Sequence, residues 1–521
     1  MTRRLLYRGL RWAESTIDRH AGIILFLLMC LLALCAWCAS EPKVLWFDEQ
    51  LGLAAARVPR LADIPAALAL PVDINPPLHH MLMHLSIGLL GYSAMTARLP
   101  SLLAMMGFLL CLFVFVSRRL RPSYGILAVL LVLCVPVIQY AWEARPYTLL
   151  LCLTGTALVS YQARIDGKGI VPLTALLVSC AGLILTHYYG LPIVGAFAAG
   201  ETVRTLRRKQ FDWPLAGGLL VAPGATILLL SGLIRSQLAV IRQYPAHAQL
   251  YTLMDGYGLY TMETPVFCVG LAGLALLPWL GRSAEERPRQ GEGAGFSAPE
   301  IAVAAFLLAL PLLGFAVAGI TRVYVPRYFV AAAAGYAILV CHLAAFVQRR
   351  YSGVTLVLTL TAAAGLSWYL LSAVKHRNDP PRFAQVLAAL ELAHAPVLFE
   401  DAKDYLISRE YDPAFAGRLY YAADPRLAFQ MTGAGFDDRF MLAMAKLQPV
   451  QAMPLDDIAR KSDVWILVPA SYGWLRKCLG RMGSSVQSST PISAVDPHPI
   501  TIRLPHPDTM ATSWCEAPPA R

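Results

Sequence analysis

Long apolar runs recur along the first three-quarters of the chain, and they constrain its fold more than any other feature. A helix needs about 20 mainly apolar residues to cross the roughly 30 Å hydrocarbon core of a bilayer. Only 15% of the 521 residues are charged, too few to cover the surface of a soluble protein of this size. The sequence therefore predicts a polytopic α-helical membrane protein. About eleven spans are expected, at 21–40, 98–116, 123–140, 146–162, 170–186, 190–203, 214–233, 263–281, 300–319, 328–347 and 354–372.

Basic residues predict how the chain is oriented. Lysine and arginine cluster in alternate loops between the apolar runs, and cytoplasmic loops are enriched in these residues. The clusters are Arg118, Arg119 and Arg121; Arg164 and Lys168; Arg204, Arg207, Arg208 and Lys209; Arg282, Arg287 and Arg289; and Arg349 and Arg350. We therefore expect a multi-pass protein of the cytoplasmic (inner) membrane, with a cytoplasmic N-terminus preceding a retained signal anchor. The formal net charge of +11 thus reflects topology rather than nucleic-acid binding.

The composition predicts two domains. Apolar runs shorten after about residue 375, and strand-like segments at 396–400 and 463–469 alternate with helical stretches. Residues 1–375 are predicted to form the transmembrane module, and residues 376–521 a soluble α/β domain on the periplasmic or extracellular side. The first outer loop of the module, 41–97, contains a short apolar segment at 78–91. We predict a helix on the membrane surface there, because counting it as a span would place the basic loops outside.

The cysteines indicate no metal or redox centre. Nine of the 11 lie inside apolar runs without paired spacing and are expected to be small buried hydrophobic residues. Cys478 and Cys515 are the two in the predicted soluble domain. If that domain faces an oxidising compartment, the two cysteines either form a disulfide or remain free thiols, and the sequence favours neither alternative.

Two pairs of charged residues in the predicted outer loops are candidates for chemistry. Asp48 and Glu49 are adjacent at the membrane interface, where anchoring does not require acids; a solvated loop or a helix N-cap is an equally weighted alternative. Glu143 and Arg145 lie in a loop so short that both charges must sit at the mouth of the helices. Charges in that position are functional candidates, and the alternative is an ion pair that ties two helices together.

Further candidates lie on the same predicted side. Arg98 opens the second apolar run, Arg327 and Tyr328 open the tenth, and His187 and Tyr188 follow the fifth. An arginine in such a position binds phosphate through forked hydrogen bonds or, alternatively, extends to the lipid headgroups. An ordinary interfacial histidine is the alternative for His187. Their location on the same side as the acids favours a functional site.

The motifs resemble those of the bacterial GT-C glycosyltransferases related to protein O-mannosyltransferases and lipid A aminoarabinose transferases. The resemblance covers about residues 20–350. It rests on a spaced set of motifs: WFDE (46–49), NPP (75–77), RLPS (98–101), EARPY (143–147), HYYG (187–190) and PRY (326–328). It implies a GT-C-like membrane fold and transfer of a sugar from a polyprenyl-phosphate donor.

The resemblance also implies roles for individual residues. Asp48 corresponds to the catalytic acid, and Glu49 lies beside it. Glu143 corresponds to an acid that positions the neighbourhood of Asp48, the acceptor or the sugar. Arg327 is the first candidate for the donor phosphate. The weaker substrate-binding candidates are Arg145, Arg98, His187, Tyr188 and Tyr328. This chain has Asn75 before the two prolines, where many relatives have histidine. His79 and His80 replace the aromatic residues that are usual after the prolines. Because of this departure, the resemblance assigns no metal or substrate role to His79 and His80.

The expected activity is transfer of a hexose or pentose to a glycolipid, polysaccharide or protein acceptor, with inversion by analogy. The sequence has no P-loop and no Gly-rich dinucleotide turn, so an activated substrate or an ion gradient must supply the energy. No cofactor is expected; two carboxylates could hold a divalent metal, although none is expected. The alternatives are a transporter or flippase for a lipid-linked sugar and a non-catalytic scaffold for envelope assembly.

Overall fold

The computed structural model describes most of the chain. The described residues are 2–40, 44–70, 72–167, 169–241, 250–260, 268, 270–275, 295–321, 324–351, 353–375, 395–411, 415–433, 435–470, 473–481, 500–507 and 514–515.

Helices dominate these residues. The α-helices are α1 (Thr2–Ser40), α2 (Phe47–Ala56), α3 (Ile64–Ala69), α4 (Leu78–Leu90), α5 (Ala94–Ser117), α6 (Pro122–Leu133), α7 (Tyr147–Ile165), α8 (Ile170–Thr186), α9 (Gly190–Arg208), α10 (Trp213–Leu229), α11 (Ser231–Ile241), α12 (Leu250–Gly258), α13 (Ala298–Thr321), α14 (Ala332–Gln348), α15 (Val354–Lys375), α16 (Ala402–Tyr411), α17 (Pro425–Thr432), α18 (Phe436–Ala445), α19 (Leu455–Lys461) and α20 (Trp474–Arg481). Short 3-10 helices occupy Leu61–Asp63, Pro136–Trp142, Pro326–Phe329 and Ala416–Arg418. The strands are β1 (Val397–Phe399), β2 (Leu419–Ala422), β3 (Ala452–Met453), β4 (Val464–Val468) and β5 (Ile500–Arg503).

The chain divides into two units. The helical unit comprises Met1–Glu41, Met95–Ser231 and Ala246–Arg377. The second unit comprises Pro42–Ala94, Gly232–Pro245 and Asn378–Arg521. The predicted boundary near residue 375 therefore lies at the start of a segment of the second unit. The first outer loop, which the sequence analysis placed with the transmembrane module, folds with the C-terminal residues.

The helical unit confirms the predicted class of fold. Ten of the eleven predicted spans coincide with helices in the described part of the chain, and the predicted span 263–281 lies mostly outside it. Among the described helices, α1, α5, α13 and α15 are long and apolar enough to cross a membrane by themselves. The number rises to six if each of two broken helix pairs counts as one span. The predicted total of about eleven spans stays a prediction.

Breaks interrupt two of the predicted spans. The segment 123–140 is not one helix: α6 ends at Leu133, and the Pro136–Trp142 helix turns by 79°. Pro136 has no backbone N–H to donate to the preceding turn, so it cannot continue α6. The segment 214–233 is likewise divided between α10 and α11. The first break directs the chain into the loop that carries Glu143.

Glycines allow helices of this unit to approach one another closely. A Cβ atom added at Gly335 in α14 would lie 2.4 Å from the carbonyl oxygen of Ala304 in α13. A Cβ atom at Gly155 in α7 would lie 2.9 Å from the Cβ of Cys111 in α5. Small residues favour helix association in membranes because close backbone approach increases van der Waals contact.

Ion pairs tie helix ends where the sequence predicts cytoplasmic loops. Arg119 binds Glu300 and Asp166, with both N···O distances 2.7 Å. Asp212 accepts from Arg164 at 2.7 Å and from Arg204 at 3.1 Å. These arginines thus connect separate helices in addition to marking topology.

The second unit contains a five-stranded sheet with the order β3-β2-β1-β4-β5. The pairs β1–β2, β2–β3 and β1–β4 are parallel, and β5 runs antiparallel to β4. The central strands are short and almost wholly buried, as expected when helices cover both faces of a parallel sheet. This sheet confirms the predicted small α/β domain. Cys478 and Cys515 form a disulfide in it.

Helix α2 of the first outer loop packs into the hydrophobic core of this unit. Phe47 and Leu51 of α2 belong to the same buried cluster as Leu406 of α16 and Met441 of α18. The side-chain amide of Gln50 donates to the carbonyl oxygen of Leu406 at 3.1 Å. The predicted helix at 78–91 is present as α4, and its location on a membrane surface stays a prediction.

Two adjacent acids begin α18. Burial raises the pKa of Asp438 to about 7, and the hydroxyl of Tyr421 donates to its Oδ1 atom. Burial likewise raises the pKa of Asp437 to about 6. Unfolded aspartates titrate near ~3.9, so between about pH 4 and pH 7 the folded unit binds more protons than the unfolded chain. Its unfolding free energy must therefore fall as pH rises through this window.

We predict that Asp438→Asn weakens this pH dependence. The amide oxygen can still accept from Tyr421 but carries no charge, so the variant should be more stable than the wild type at pH 8 by on the order of 1–3 kcal/mol. Hydrogen exchange of peptides that contain β1 and β4, corrected for intrinsic rates, measures the difference. The exposed Asp457→Asn change is the control and should leave the pH profile unaltered; an unchanged profile in Asp438→Asn would contradict the prediction.

Candidate functional site

The helical unit buries Glu143 and Arg145 in the segment between the Pro136–Trp142 helix and α7. Both residues are less than one-tenth exposed. The backbone N–H of Arg145 donates to the carbonyl oxygen of Glu143 at 2.7 Å, which forms a tight turn before Pro146 begins the approach to α7. The hydroxyl of Ser101 in α5 donates to the carbonyl oxygen of Arg145 at 3.0 Å. This short loop is therefore held rigidly by a neighbouring helix.

An aromatic cluster surrounds this segment. The Arg145 guanidinium carbon lies 5.8 Å from the centre of the Tyr147 ring. The Tyr147 ring contacts Tyr140 (4.9 Å), His187 (6.1 Å) and Tyr328 (6.5 Å), measured between ring centres. Motifs separated by about 40 to 180 residues in the sequence thus meet around one tyrosine ring.

The cluster extends to the segment that precedes α14. His187 lies 4.6 Å from Tyr328 between ring centres, and Tyr189 lies 5.0 Å from the same ring. Arg327 and Glu143 both interact electrostatically with the Tyr140 hydroxyl. The structure therefore brings five of the predicted site residues together: Glu143, Arg145, His187, Arg327 and Tyr328. Because arginines, an acid and aromatic rings converge here, the cluster can bind an anionic ligand that also has an apolar or sugar face.

Arg98 and Tyr188 complete the predicted residues of this unit. Arg98 is only 1% exposed, so it does not extend to lipid headgroups. Its Nη1 atom donates to the carbonyl oxygen of Ser40 at the end of α1, at 3.1 Å. This bond indicates a role in fixing α1 against α5. Tyr188 is half-buried in the loop between α8 and α9.

The sequence analysis did not select three tyrosines of the cluster. Tyr147 and Tyr189 lie within the motifs EARPY and HYYG, and Tyr140 lies three residues before the first of them. Their position next to Glu143 and His187 was a signal in the sequence that could have identified them.

In the second unit, Asp48 and Glu49 have separate roles. Both lie in the first turn of α2, where the helix dipole favours carboxylates. Glu49 is completely buried, and its Oε2 atom accepts the backbone N–H of Trp46 at 3.1 Å. The helix-capping alternative thus describes Glu49. Asp48 is half-buried, and successive residues of a helix point about 100° apart, so the two carboxylates point in different directions.

Residues far along the chain set the surroundings of Asp48. Burial raises the pKa of Asp437, Lys403 lowers it, and the carboxylates of Asp401 and Asp48 raise it further. Asp401 caps α16 by accepting the backbone N–H groups of Lys403 and Asp404 at 2.7 and 3.2 Å. The Asp437 carboxylate of α18 is therefore within electrostatic range of Asp48 in α2 and of Asp401 and Lys403 at the start of α16.

A buried network stabilises the loop that follows α2. The Nε2 atom of His80 lies 3.2 Å from Oδ2 of Asp73, and its Nδ1 atom lies 3.2 Å from the carbonyl oxygen of Pro76. Asn75 donates its amide to the other Asp73 oxygen at 2.7 Å. The amide of Gln237 in α11 donates to the carbonyl oxygen of Asp73 at 3.1 Å. Both ring nitrogens of His80 thus lie within hydrogen-bond distance of oxygen atoms.

The contacts of His80 with Asp73 and Pro76 indicate a structural role. His79 is also buried and meets His80 edge to face, with 6.1 Å between ring centres. Among the described residues, no three His, Cys, Asp or Glu side chains come together in a way that could hold a metal ion. The expectation that the protein uses no cofactor stays a prediction.

Comparison with known proteins bears on the fold. Residues 74–228 match the sequence model of the dolichyl-phosphate-mannose-protein mannosyltransferase family. No curated protein matches the sequence significantly. The chain is similar to the crystal structure of ArnT from Cupriavidus metallidurans in the apo state, with a TM-score of 0.54, 14% identity, and coverage of 92% of this chain and 97% of ArnT.

The structure of the same protein bound to undecaprenyl phosphate gives the same TM-score and identity, over 93% of this chain and 98% of ArnT. The chain has a GT-C glycosyltransferase fold. This confirms the fold that the motifs implied. Three of the motifs, EARPY, HYYG and PRY, lie at helix ends and meet in the cluster around Tyr147.

We predict that His80→Ala destabilises the first outer loop. The change leaves the buried Asp73 carboxylate without its imidazole partner, and losing a buried hydrogen bond to a carboxylate costs about 1.5–3 kcal/mol. Limited proteolysis and thermal unfolding of the full-length protein in detergent measure the loss. His84→Ala is the matched control, because half-buried His84 bonds only to the carbonyl oxygen of Ala56 among the contacts described, at 2.9 Å, and should cost about 1 kcal/mol. Equal effects of the two changes would sink the prediction.

Proposed function

We propose that the protein transfers a sugar from a polyprenyl-phosphate-linked donor to an envelope acceptor on the outer side of the cytoplasmic membrane. The cluster of Arg145, Arg327, Glu143 and tyrosine rings in a GT-C fold is the observation that carries the proposal. A sugar phosphate on a lipid presents an anion, a sugar face and an apolar tail together. Arginine forks suit the phosphate, and aromatic rings suit the sugar and the first isoprene units.

The reaction that we propose is one displacement at the anomeric carbon. The acceptor oxygen forms a bond to this carbon, while the bond from the carbon to the phosphate oxygen breaks and polyprenyl phosphate leaves with the electron pair. Asp48 accepts the proton of the acceptor hydroxyl, which is general-base catalysis worth typically about 10²–10⁴-fold. A single attack opposite the leaving group inverts the anomeric centre.

The remaining predicted residues receive roles from their chemistry. Arg327 and Arg145 stabilise the charge that develops on the departing phosphate. Glu143 orients the arginines and the sugar hydroxyls, and His187 and Tyr328 supply the wall of the sugar site. Arg98 and Glu49 support the protein backbone. No metal is assigned, since the arginines supply the positive charge that the leaving group needs; activity should therefore persist in a chelator such as EDTA.

Two features support an outer location for the second unit. The arginine-rich loops predict the opposite side as cytoplasmic. The disulfide between Cys478 and Cys515 is the kind of bond that persists in oxidising compartments. We therefore propose that residues 376–521 lie in the periplasm or outside the cell, with the N-terminus in the cytoplasm.

The first test measures release of polyprenyl phosphate. Purified protein in lipid is incubated with a panel of undecaprenyl-phosphate hexoses and pentoses and with crude envelope acceptors, and the products are followed by mass spectrometry. Wild-type protein should release undecaprenyl phosphate from at least one donor. Binding without release across the panel would instead favour a flippase or a scaffold, and movement of the intact donor between leaflets would identify the flippase.

We predict that Asp48→Asn lowers kcat by about 10²–10⁴-fold, because an amide cannot accept the acceptor proton. The KM for the donor should change little. Glu49→Gln should retain kcat within about tenfold and show its main effect in stability, because Glu49 caps α2. The half-exposed Asp63→Asn change, in the same loop, is the control. Equal kcat in Asp48→Asn and wild type would reject Asp48 as the base.

We predict that Arg327→Gln and Arg145→Gln each lower kcat/KM by about 10²-fold or more, because a charge-assisted bond to the leaving phosphate is lost. Arg327→Lys should recover only part of the loss, since an ammonium group cannot form the forked contact. Steady-state kinetics with the donor identified above measure both effects. Arg118 is exposed in a predicted cytoplasmic loop, so Arg118→Gln is the control and should behave as wild type. Wild-type kinetics in Arg327→Gln would contradict the assignment of Arg327 to the phosphate.

A further inference from the structure

A separate cavity of about 480 Å³ lies in the C-terminal α/β domain. It is formed by α17, α20 and the short segment that holds the disulfide. Arg426, Gln430, Arg481 and Trp514 are among the residues that line it. The volume falls within the range that small-molecule sites in proteins occupy. None of the residues assigned to sugar transfer belongs to it.

The positions of the arginines suggest a ligand. Arg426 lies in the first turn of α17, where the positive end of the helix dipole disfavours a cation. Gln430 follows four residues later, so it lies on the same face of the helix. Arg481 is the last residue of α20 and adds a second guanidinium to the wall. Helix stability does not account for an arginine at position 426, whereas recognition of an anion does.

The acid in the wall cancels only part of this charge. Asp424 also lines the cavity, but its Oδ1 atom accepts the backbone N–H groups of Arg426 and Leu427, both at 3.1 Å. It caps α17 and is therefore committed to the helix. Two arginines and one carboxylate leave a net charge of +1 at the cavity, by simple count of these side chains.

Trp514 gives the cavity an aromatic wall in a fixed position. Its indole N–H donates to Oδ1 of Asp456, and the following residue, Cys515, is joined by the disulfide to Cys478 of α20. Both restraints hold the ring beside the arginines. An indole next to guanidinium and amide groups matches a sugar ring, whose C–H face stacks on an aromatic surface while its hydroxyls and charged group accept hydrogen bonds.

We propose that this cavity binds a sugar unit that carries a carboxylate or phosphate, as part of an envelope glycan. Arg426 and Arg481 bind the anionic group, Gln430 binds hydroxyls, and the sugar ring stacks on Trp514. The biological role of this site rests on the proposed function: the α/β domain recognises an anionic glycan acceptor or its glycosylated product. The binding itself can be tested without turnover.

The test uses matched charged and neutral glycans. Full-length protein in phosphatidylcholine nanodiscs is titrated with fluorescent oligogalacturonate, with the same oligomer after complete methyl esterification, and with a phosphorylated mannan fragment before and after phosphatase treatment. At least one charged member should bind about tenfold or more tightly than its neutral partner. The double change Arg426→Gln and Arg481→Gln should remove that preference, and Trp514→Leu should weaken both members of the pair by about tenfold.

Controls separate this site from general attraction of anions. Arg503→Gln, an exposed arginine on β5 of the same domain, should bind as wild type. Inorganic phosphate should compete only weakly, and phosphatidylglycerol in the nanodiscs should not occupy the site. Equal binding of charged and neutral oligomers, equal loss in Arg503→Gln, or full displacement by inorganic phosphate or phosphatidylglycerol would overturn the proposal.

The outcomes also separate this proposal from the previous one. If the wild type releases polyprenyl phosphate but shows no arginine-dependent glycan preference, sugar transfer stands and the cavity has no such role. If glycan binding depends on the two arginines but no donor is consumed, the cavity stands and the proposed reaction fails. An intact Cys478–Cys515 disulfide in each variant, checked by mass spectrometry, shows that the domain is folded.

Discussion

The need to satisfy charged groups inside a largely apolar unit governs where polar residues occur in this protein. The guanidinium of buried Arg98 donates to a helix-end carbonyl oxygen. Glu300 is completely buried, and it accepts from Arg119 and Gln162. Most of the buried charges of the helical unit lie near helix ends, where loops and broken helices offer partners. Because a membrane offers few such positions, the predicted reactive residues had to gather at the loops.

The same constraint explains which features the sequence could predict. Length and apolarity specify a spanning helix, so ten predicted spans coincide with described helices. The break after α6 was missed, although Pro136 was visible, because an apolar run continues across it. The role of Arg98 was also left open, since phosphate binding and extension to lipid are both compatible with its position. Only the carbonyl oxygen of Ser40, 58 residues away, indicates a third role.

Long-range contacts account for what the sequence could not predict at Asp48. Its neighbour Glu49 carries the same charge and looks equivalent in the sequence, yet it caps the helix from a buried position. Asp437, which interacts electrostatically with Asp48, is about 390 residues away and belongs to no recognised motif. A sequence pattern indicates local secondary-structure preference and the periodicity of buried residues, but it does not indicate contacts between residues far apart in the chain.

The second unit contains both the first outer loop and the C-terminal residues, and the two pack against each other. Gln50 donates to Leu406 across 356 residues, and α2 shares its buried face with α16 and α18. Asp437 of α18, whose pKa burial raises to about 6, also interacts electrostatically with Asp48 of α2, and it gains negative charge as pH rises toward neutrality. The first outer loop is therefore coupled to the α/β domain by charge as well as by packing, because both belong to one folded unit.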